Sequence, residues 1–535
     1  MHHTISFFFS PFRLFFLMLF LMTAGCTKVG PDFAPPDALM ADQWQEAGDP
    51  RLGTERADYR EWWKAFADPV LDDLISMACS QNPRLHIAGV RVLEARAQLA
   101  AAVGRQYPQA QQLFGSAAYN RLSETAPTAP QPHLAFGYDY ETWQAHIGFR
   151  AAWEIDFWGR FRRAVESADA NFLGSIAAYD DALVSLSAEV AGTYVLIRTF
   201  EEQIRIAEEN LVIQQESLRI ARARFRGGAT SERDVQQATA QMRSTEATIP
   251  QLETVLRQAK DALSTLLGLP PGRLAPILKT GPGIPNAPPH VAVGMPADLL
   301  RRRPDIRLAE MQAAAQSALI GVAKADLYPM FSLSGSFGLL SSDTGKFSVD
   351  DIFSWSARTA SFGPSFQWNI FNYGQITNQV RVQDARLQAL ILNYQHVVLR
   401  AQQEVEDAII ALLKAQERLA VLSDAADAAK RSAELALIQY REGATDYTTV
   451  LSAQQALLSQ QNGLTLGRAD VPQALVAIYR ALGGGWEIRD RLEMVPEEIR
   501  ETMEKRTDWG NLLSPNAVEP AGSEERDGFF RSPEW

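Results

Sequence analysis

Residues 145–157 read Ala-His-Ile-Gly-Phe-Arg-Ala-Ala-Trp-Glu-Ile-Asp-Phe, and apolar side chains occupy every odd-numbered position. Successive side chains of a β-strand point to opposite faces, so this stretch predicts a strand with one apolar and one polar face. The polar face carries His146, Arg150 and Glu154. Two settings produce such a pattern: a half-buried sheet on a soluble core, and a membrane β-barrel with lipid outside and water inside.

The same alternation returns later in the chain. Residues 360–370 place Phe362, Phe366 and Trp368 on one face, 215 positions after their counterparts in residues 145–157. Residues 331–339 alternate in the same way, and residues 111–119 do so less regularly. We therefore predict four strands, at about 110–120, 143–157, 329–341 and 359–371.

These strands belong to a larger internal duplication. Tyr107-Pro108 corresponds to Tyr328-Pro329 at an offset of 221. After a small deletion, Phe225-Arg-Gly-Gly-Ala-Thr230 corresponds to Tyr440-Arg-Glu-Gly-Ala-Thr445 at an offset of 215. Duplication on this scale favours a pseudo-symmetric object, such as a channel or an array, over a single catalytic pocket.

A long helix follows the second strand of each copy. Apolar residues recur every seven positions in a proline-free stretch from Gly159 to Gly227, and the second copy repeats the pattern. A sustained heptad repeat predicts coiled-coil packing, and this stretch would be about 100 Å long as a helix. A glycine-bearing turn then leads into a returning helix, so each copy forms a helical hairpin. From the helices alone, an isolated coiled-coil rod is an alternative. The predicted seam residues are Leu183, Val190, Ile197, Ile204, Leu211, Leu218 and Phe225, and Val398, Val405, Leu412, Leu419, Ala426, Ala433 and Tyr440.

Four strands cannot close a membrane barrel, and an open sheet edge is not tolerated in lipid. A barrel built from this chain must therefore be shared between copies. Two copies would give eight strands with a filled interior, whereas three would give twelve strands with room for a pore. Polar side chains that face the interior of the barrel suit a water-filled pore, so we expect a homotrimer.

Residues 1–25 resemble an export signal, with a nine-residue apolar core from Leu14 to Met22. This core is too short to span a bilayer. It leads into Thr23-Ala24-Gly25-Cys26, which resembles a bacterial lipobox and predicts lipidation of Cys26. A plain signal peptide followed by an accidental cysteine is the alternative.

Further segments resemble the TolC-like outer-membrane factors, in their NodT-type efflux lipoprotein branch. The marks are Cys26-Thr-Lys-Val-Gly-Pro-Asp-Phe-Ala-Pro-Pro36, the Trp62-Trp63-x-x-Phe66-x-Asp68-Pro69 segment, and the linker Met295-Pro-Ala-Asp-Leu-Leu-Arg-Arg-Arg-Pro-Asp-Ile306. The resemblance implies a mixed α and β fold in which antiparallel coiled-coil hairpins form an α-barrel. Four strands per protomer would join a trimeric twelve-stranded transmembrane β-barrel.

The resemblance also implies a function, that of the exit duct of a tripartite efflux system for drugs, solvents, metals or other small toxic compounds. The partners would be a periplasmic adaptor and an inner-membrane transporter of the RND or a related class, with outer-membrane lipid around the barrel. An exit duct for type I protein secretion and a non-conducting periplasmic scaffold are the alternatives. The implied segments are a signal peptide (1–25), a lipidated belt segment (26–80), a first repeat (81–268), a linker (269–297), a second repeat (298–483), a C-terminal belt segment (484–505) and a disordered tail (506–535).

The helix turns would form the periplasmic entrance and contact the adaptor, through Gly227, Gly228, Thr230, Gly443 and Thr445. Relatives carry an aspartate shortly after the second turn, where this chain has Ser452. An acidic ring could instead use Asp446 or Asp234, with Arg226 and Arg441 as ion-pair partners. The alternative is that both aspartates are ordinary acids at helix N-termini, which the helix dipole favours, and the sequence favours this alternative for Asp234.

Several classes of function are disfavoured. The net charge of −12 gives no basic footprint for nucleic acid. The seven histidines are scattered without metal-ligand spacing, so we expect no metal and no cofactor apart from the lipid. The sequence contains no H-E-x-x-H motif, nucleophile elbow or P-loop, and we expect no enzymatic activity.

Overall fold

The computed structural model describes residues 28–53, 55, 58–121, 123, 141–278, 283–343, 348–514 and 530–533. The predicted signal peptide and Cys26 lie outside these residues. The described strands are β1 (Leu52–Gly53), β2 (Ala110–Arg121), β3 (Glu141–Ile155), β4 (Val291–Ala292), β5 (Met330–Ser342) and β6 (Arg358–Gln367).

Strands β2, β3, β5 and β6 form one antiparallel sheet in that order, so the two copies meet where β3 pairs with β5. Phe149 lies opposite Leu113 on β2 and Phe337 on β5, and Phe337 lies opposite Ala360 on β6. Residues directly opposite in an antiparallel pair share a face. The apolar positions predicted on the strands therefore merge into one continuous apolar face, as expected.

The other face of the sheet is polar. Arg150 donates a 2.7 Å hydrogen bond to Gln112, and the Ser336 and Ser361 hydroxyls are 2.8 Å apart. Phe114 is an exception, because it shares this face with His146, whose ring centroid is 4.7 Å away. A Cβ at Gly148 would lie 2.8 Å from the backbone of Phe337 and Gly338 and 3.2 Å from the Phe114 ring, so glycine there leaves room for both the neighbouring strand and the ring. The presence of an aromatic side chain on the polar face explains why residues 111–119 alternate less regularly.

Two helices of 67 and 68 residues dominate the helical part, each about 100 Å long. The first contains an 18-residue window apolar enough to cross a bilayer, with a mean hydropathy of 1.2, but 67% of that window is buried within the fold. The described helices are α1 (Pro69–Gln81), α2 (Pro83–Gly104), α3 (Arg160–Arg226), α4 (Glu232–Leu266), α5 (Ala275–Leu278), α6 (Leu299–Arg302), α7 (Pro304–Ala325), α8 (Gln375–Glu442), α9 (Tyr447–Ala481) and α10 (Glu497–Glu504).

The helices stand in four parallel columns. Helix α3 packs against both α2 and α4 on one side and against both α7 and α9 on the other, and α8 packs against α7 and α9. The columns therefore run α2/α4, α3, α7/α9, α8. The predicted seams are buried or half-buried along both long helices, with one exception. Phe225, in the last turn of α3, is 43% exposed, whereas its counterpart Tyr440, in the last turn of α8, is buried.

Two of the four columns are each built from two helices placed end to end. The Asn82 side chain caps α2 by accepting from the Leu85 amide at 3.0 Å, and its amide donates to the carbonyl of Leu266 at the end of α4 at 2.7 Å. At the equivalent junction, Arg303 donates to the carbonyl of Ala481 at the end of α9 at 2.8 Å. These bonds satisfy backbone groups that a helix end leaves without partners.

A belt surrounds these junctions at mid-height. Trp62 stacks on Tyr479 with ring centroids 5.1 Å apart, and the Tyr194 hydroxyl donates to Asp68 at 2.7 Å. Asp180 is fully buried in a 2.6 Å ion pair with Arg489. Burial raises the pKa of Asp180 to about 6.

The predicted disorder of residues 506–535 is wrong for the residues that the structure describes. Trp509 and Leu513 pack against a small buried cluster that contains Leu93 of α2. Phe530 packs against the ring of Tyr107, and Arg531 forms an ion pair with Asp169. Composition predicted a solvated tail, but an ion pair and two aromatic contacts hold its last described residues.

The contribution of the end-to-end junction to stability can be measured by substituting Asn82. Asn82→Ala removes both the cap of α2 and the donor to Leu266, and we expect the protein to lose about 1–2 kcal/mol of unfolding free energy. Thermal unfolding in detergent would measure the loss. Gln81→Ala, one exposed residue earlier, is the control and should stay within about 0.5 kcal/mol. Equal stability of both variants would show that the junction contributes nothing.

Candidate functional site at the helical tips

Two helix turns lie at the end of the hairpins farthest from the sheet. Gly228 and Gly443 have φ angles of +72° and +78°, a conformation that favours glycine. In each turn a backbone amide reaches back to the last helical turn, from Ala229 to Arg224 and from Ala444 to Gln439, both at 2.8 Å. These bonds satisfy orphan carbonyls at the helix C-termini. The two predicted turns are therefore present, and each is closed by its glycine.

Arg224 joins the two tips. Its guanidinium donates to the backbone carbonyl of Tyr440, in the last turn of α8, and lies 4.6 Å from the centre of the Tyr440 ring. The C-terminal end of a helix carries partial negative charge, so a cation there is favourable. One side chain of the first hairpin thus caps the long helix of the second.

Asp234 makes a second connection between the tips. It is 4% exposed, accepts a hydrogen bond from the Thr230 hydroxyl, and lies 3.5 Å from the hydroxyl of Tyr440. Burial raises the pKa of Tyr440, so its hydroxyl stays protonated and can donate at neutral pH. Asp234 therefore holds the two hairpins together within one chain and does not present an exposed carboxylate.

A small core lies directly behind these polar contacts. The rings of Tyr440 and Tyr447 meet edge to face at 5.3 Å, and the Ser217 hydroxyl donates to that of Tyr447 at 3.3 Å. This cluster is separate from the main core of the protein. Its buried members are Leu218, Ile220, Ala221, Ala238, Met242, Ala436, Tyr440, Tyr447 and Val450.

Polar side chains continue into the packed interface above the tips. Asn210 of α3 donates to Gln461 of α9 at 2.7 Å. Gln214 and Gln454 are buried, and neither side-chain amide has a hydrogen-bond partner in the structure. Buried amides without partners weaken a packed interface.

Asp446 is exposed and caps α9. Its carboxylate accepts from the amide of Thr449 at 3.0 Å and from the Thr449 hydroxyl at 2.9 Å, and these bonds hold its pKa below the usual range. The carboxylate is therefore charged at neutral pH. Ser452, six residues later, is also exposed.

The arginines that make contacts at the tips are not the two that the sequence predicted. Arg226 and Arg441 are exposed, and neither forms an ion pair among the residues that the structure describes. Arg233 instead lies 3.6 Å from Asp234 and lowers the pKa of Asp446 through its charge. Arg224, two residues before Arg226, faces the second hairpin and makes the contact to Tyr440.

The heptad pattern predicted only a seam position for Tyr440, and neither Arg224 nor Tyr447 was among the predicted site residues. A signal was present in the duplication, because Tyr440 corresponds to Phe225, and Arg224 corresponds to Gln439. A hydroxyl or a charge that appears in only one copy marks a contact that breaks the symmetry of the two halves.

Comparison with known proteins identifies one family over most of the chain. The model of the outer membrane efflux protein family matches residues 74–269 and 295–484. The chain is 31% identical to the solvent efflux pump outer membrane protein SrpC of Pseudomonas putida, over 88% of this chain and 97% of that protein. It is 28% identical to nodulation protein T of Rhizobium leguminosarum bv. trifolii, over 87% and 96% respectively.

Solved structures agree with this match. The outer-membrane channel OprN superposes with a TM-score of 0.79 at 34% identity, covering 86% of this chain and 99% of that one. The MtrE outer membrane channel of Neisseria gonorrhoeae, solved in an open state, superposes with a TM-score of 0.73 at 26% identity, covering 86% and 98%.

Two substitutions separate the capping role of Asp446 from a role of its charge. Asp446→Ala removes both and should weaken the start of α9 by about 1 kcal/mol, whereas Asp446→Ser removes only the charge, because serine also caps helices. Hydrogen exchange at the tip reports the cap, and cation selectivity in planar bilayers reports the charge. We expect both variants to lose cation selectivity but only the alanine variant to exchange faster. Native selectivity in both would leave Asp446 a cap alone.

Proposed function

The chain belongs to the outer membrane efflux protein family, and from this we propose that it is the outer-membrane exit duct of a tripartite efflux system. The observation that carries the proposal is the union of a sheet that is apolar on one face and polar on the other with helical hairpins about 100 Å long. Lipid fits the first face, water fits the second, and the hairpins are long enough to extend deep into the periplasm. The duct is passive, and its inner-membrane partner supplies the energy.

The transported compounds we propose are drugs, solvents, metals or other small toxic compounds. SrpC is named for solvent efflux. The pyoverdine export outer membrane protein OpmQ of Pseudomonas putida is 31% identical over 89% of this chain and 98% of its own length. Solvents and pyoverdine are both small molecules, which favours this class over secreted proteins.

We propose a homotrimer, because the four-stranded sheet has free edges at β2 and β6. The duplication also suggests how copies would pair. Ala110 pairs with Ala152 and Met330 with Gln367, so β2 corresponds to β5 at an offset of 220, and β3 corresponds to β6 at 215. Arg150 of β3 pairs with Ser336 of β5. The same pairing between copies places Ser365 of one chain opposite Ser116 of the next.

The helical tips would form the periplasmic entrance. Their exposed residues include Gly227, Gly228 and Gly443, and we propose that this rim receives a periplasmic adaptor, which links the duct to an RND-type or related transporter. The contacts of Arg224 and Asp234 with Tyr440 tie neighbouring hairpins together at this rim. They support a resting state in which the entrance is narrow.

A lipid on Cys26 would anchor the N-terminal segment beside the barrel. The amide of Val29 donates to the carbonyl of Trp158 at 3.0 Å, just after strand β3 ends. Arg163 holds the carbonyls of Val29 and Gly30 at 3.0 and 3.1 Å. Cys26 is only three residues before Val29, so an acyl chain there would lie near the sheet's lower rim, where the inner leaflet surface would be.

Conductance and drug susceptibility test the proposed duct together. The purified protein should conduct in planar bilayers, and a deletion strain should become sensitive to solvents and amphipathic antibiotics with an unchanged set of secreted proteins. Tyr440→Phe keeps the ring but removes the hydroxyl near Asp234, so it should raise resting conductance. Tyr394→Phe, buried in α8 and outside the tip cluster, is the matched control. A purified protein that never conducts would contradict the duct.

The predicted register can be tested by cross-linking. With Ser116→Cys and Ser365→Cys in one chain, oxidation should link copies into dimers and trimers on a non-reducing gel. Asn120→Cys with Ser365→Cys shifts the pairing by four residues, about 13 Å along a strand, and should not cross-link. Efficient linking of the shifted pair alone would show that the register is wrong.

Lipidation is tested by Cys26→Ser. The variant should lose fatty-acid labelling and keep its signal peptide, because the thiol that accepts the lipid is absent. Cys79→Ser is the control and should label normally, since Cys79 is buried. Labelling that persists in Cys26→Ser would rule out this anchor.

A further inference from the structure

The last described residues of the chain, Phe530–Pro533, occupy a defined site. The guanidinium of Arg531 forms a 3.0 Å ion pair with Asp169 of α3, and both side chains are largely buried. The Tyr107 hydroxyl donates to the Arg531 carbonyl at 2.7 Å, and the Arg531 amide donates to Gln106 at 3.4 Å. Backbone and side chain are thus both held, which a solvated tail would not require.

This site lies where the helical columns meet the sheet. Gln106 and Tyr107 stand between the end of α2 and the start of β2, and Trp153 of β3 donates to the Gln106 carbonyl at 3.1 Å. The ring of Phe530 lies 5.9 Å from that of Tyr107 and 6.5 Å from that of Trp153. The tail therefore adds an aromatic side chain to the junction between α2 and the sheet.

The second copy repeats this junction without a tail residue. Trp368 of the second copy donates to the Leu327 carbonyl at 3.0 Å, as Trp153 does to Gln106. Tyr328, the counterpart of Tyr107, stacks at 4.5 Å on Trp158, which follows strand β3 of the first copy. Within one chain, the seam between the two halves is thus closed by an aromatic stack.

The same seam must recur between chains if β6 of one copy pairs with β2 of the next. The counterpart of Trp158 is Tyr373, which is 101% exposed and follows β6. Its partner by symmetry is Tyr107 of the next copy. In the chain described here, Tyr107 already carries Phe530, whose side chain is 46% exposed.

We propose that Phe530 is an aromatic staple between copies of this chain, held in place by the Arg531–Asp169 ion pair. The inference rests on the trimer proposed above. The exposed side of Phe530 packs against Tyr373 and the neighbouring Phe371 of a second copy, which are both exposed in the single chain. The seam between chains is then closed by three aromatic layers, Tyr107, Phe530 and Tyr373, where the seam within the chain has two.

The ion pair explains why the staple belongs to its own chain. A buried arginine is stable only when a carboxylate and carbonyls surround it, and Asp169 supplies the carboxylate. Releasing Arg531 would leave Asp169 unpaired in a largely buried place. Docking of the tail is therefore coupled to the folding of its own α2 and α3, and Phe530 is already positioned when a second copy arrives.

Cross-linking with Phe530→Cys and Tyr373→Cys tests the contact. A short bis-maleimide should join these cysteines between copies of the full-length protein and give dimers and trimers. Adding Arg531→Glu should release the tail and strongly reduce the yield, whereas Arg506→Glu, an exposed charge reversal in the same C-terminal region, should not. Products of monomer mass, or a yield that does not respond to Arg531→Glu, would overturn the staple.

The dissociation temperature of the trimer gives an independent measurement, because it does not depend on how efficiently the cysteines react. Phe530→Ala and Tyr373→Ala should each lower the dissociation temperature of the trimer. The dissociation temperature of the double variant should be no lower than that of the less stable single variant. Fully additive effects would contradict a direct contact, and would assign the two aromatics separately to lipid. If Ser116→Cys and Ser365→Cys cross-link while the Phe530 and Tyr373 pair does not, the trimer stands and the staple fails. If neither pair links, and Asn120→Cys with Ser365→Cys does not link either, the trimer itself is wrong.

Discussion

Unpaired backbone groups at the edges of a four-stranded sheet constrain the rest of this protein. Within the described chain, β2 and β6 each have a sheet neighbour on one side only. A strand edge in lipid has no water to satisfy its amides and carbonyls, so the sheet must close on further copies. Because the chain is duplicated, the register of β3 with β5 predicts the register with which β6 of one copy would pair with β2 of the next.

The helical part meets a related requirement by different means. Each long helix is continuous, but the neighbouring column is assembled from two helices whose ends meet at mid-height. Such ends leave backbone groups without partners, and Asn82 and Arg303 satisfy carbonyls there with unlike chemistry. Arg303 also pairs with Glu404 of α8 at 2.7 Å. The two copies have kept the geometry of the junction while changing the residue that makes it.

At the tips the copies differ more. The first copy supplies the charges, Arg224 and Asp234, and the second supplies the phenol and the helix end that receive them. Pseudo-symmetric halves would pack equally well on either side, whereas these contacts select one neighbour. These contacts are polar, and they lie near buried glutamines that have no hydrogen-bond partner among the described residues.

The sequence alone determined the features that repeat with a period. Alternation located all four strands of the sheet and their apolar face, and the heptads located the buried seam, since both periods follow from local backbone geometry. Contacts without a period were decided only by the tertiary structure. The composition of the last thirty residues indicated a solvated tail, yet Arg531 finds Asp169 at a sequence separation of 362 residues. Likewise Phe225 and Tyr440 occupy equivalent heptad positions, but only Tyr440 is buried, because Arg224 and Asp234 converge on it from the other hairpin. The partner of a side chain across such a distance depends on how whole elements pack, and no local pattern in the sequence records that.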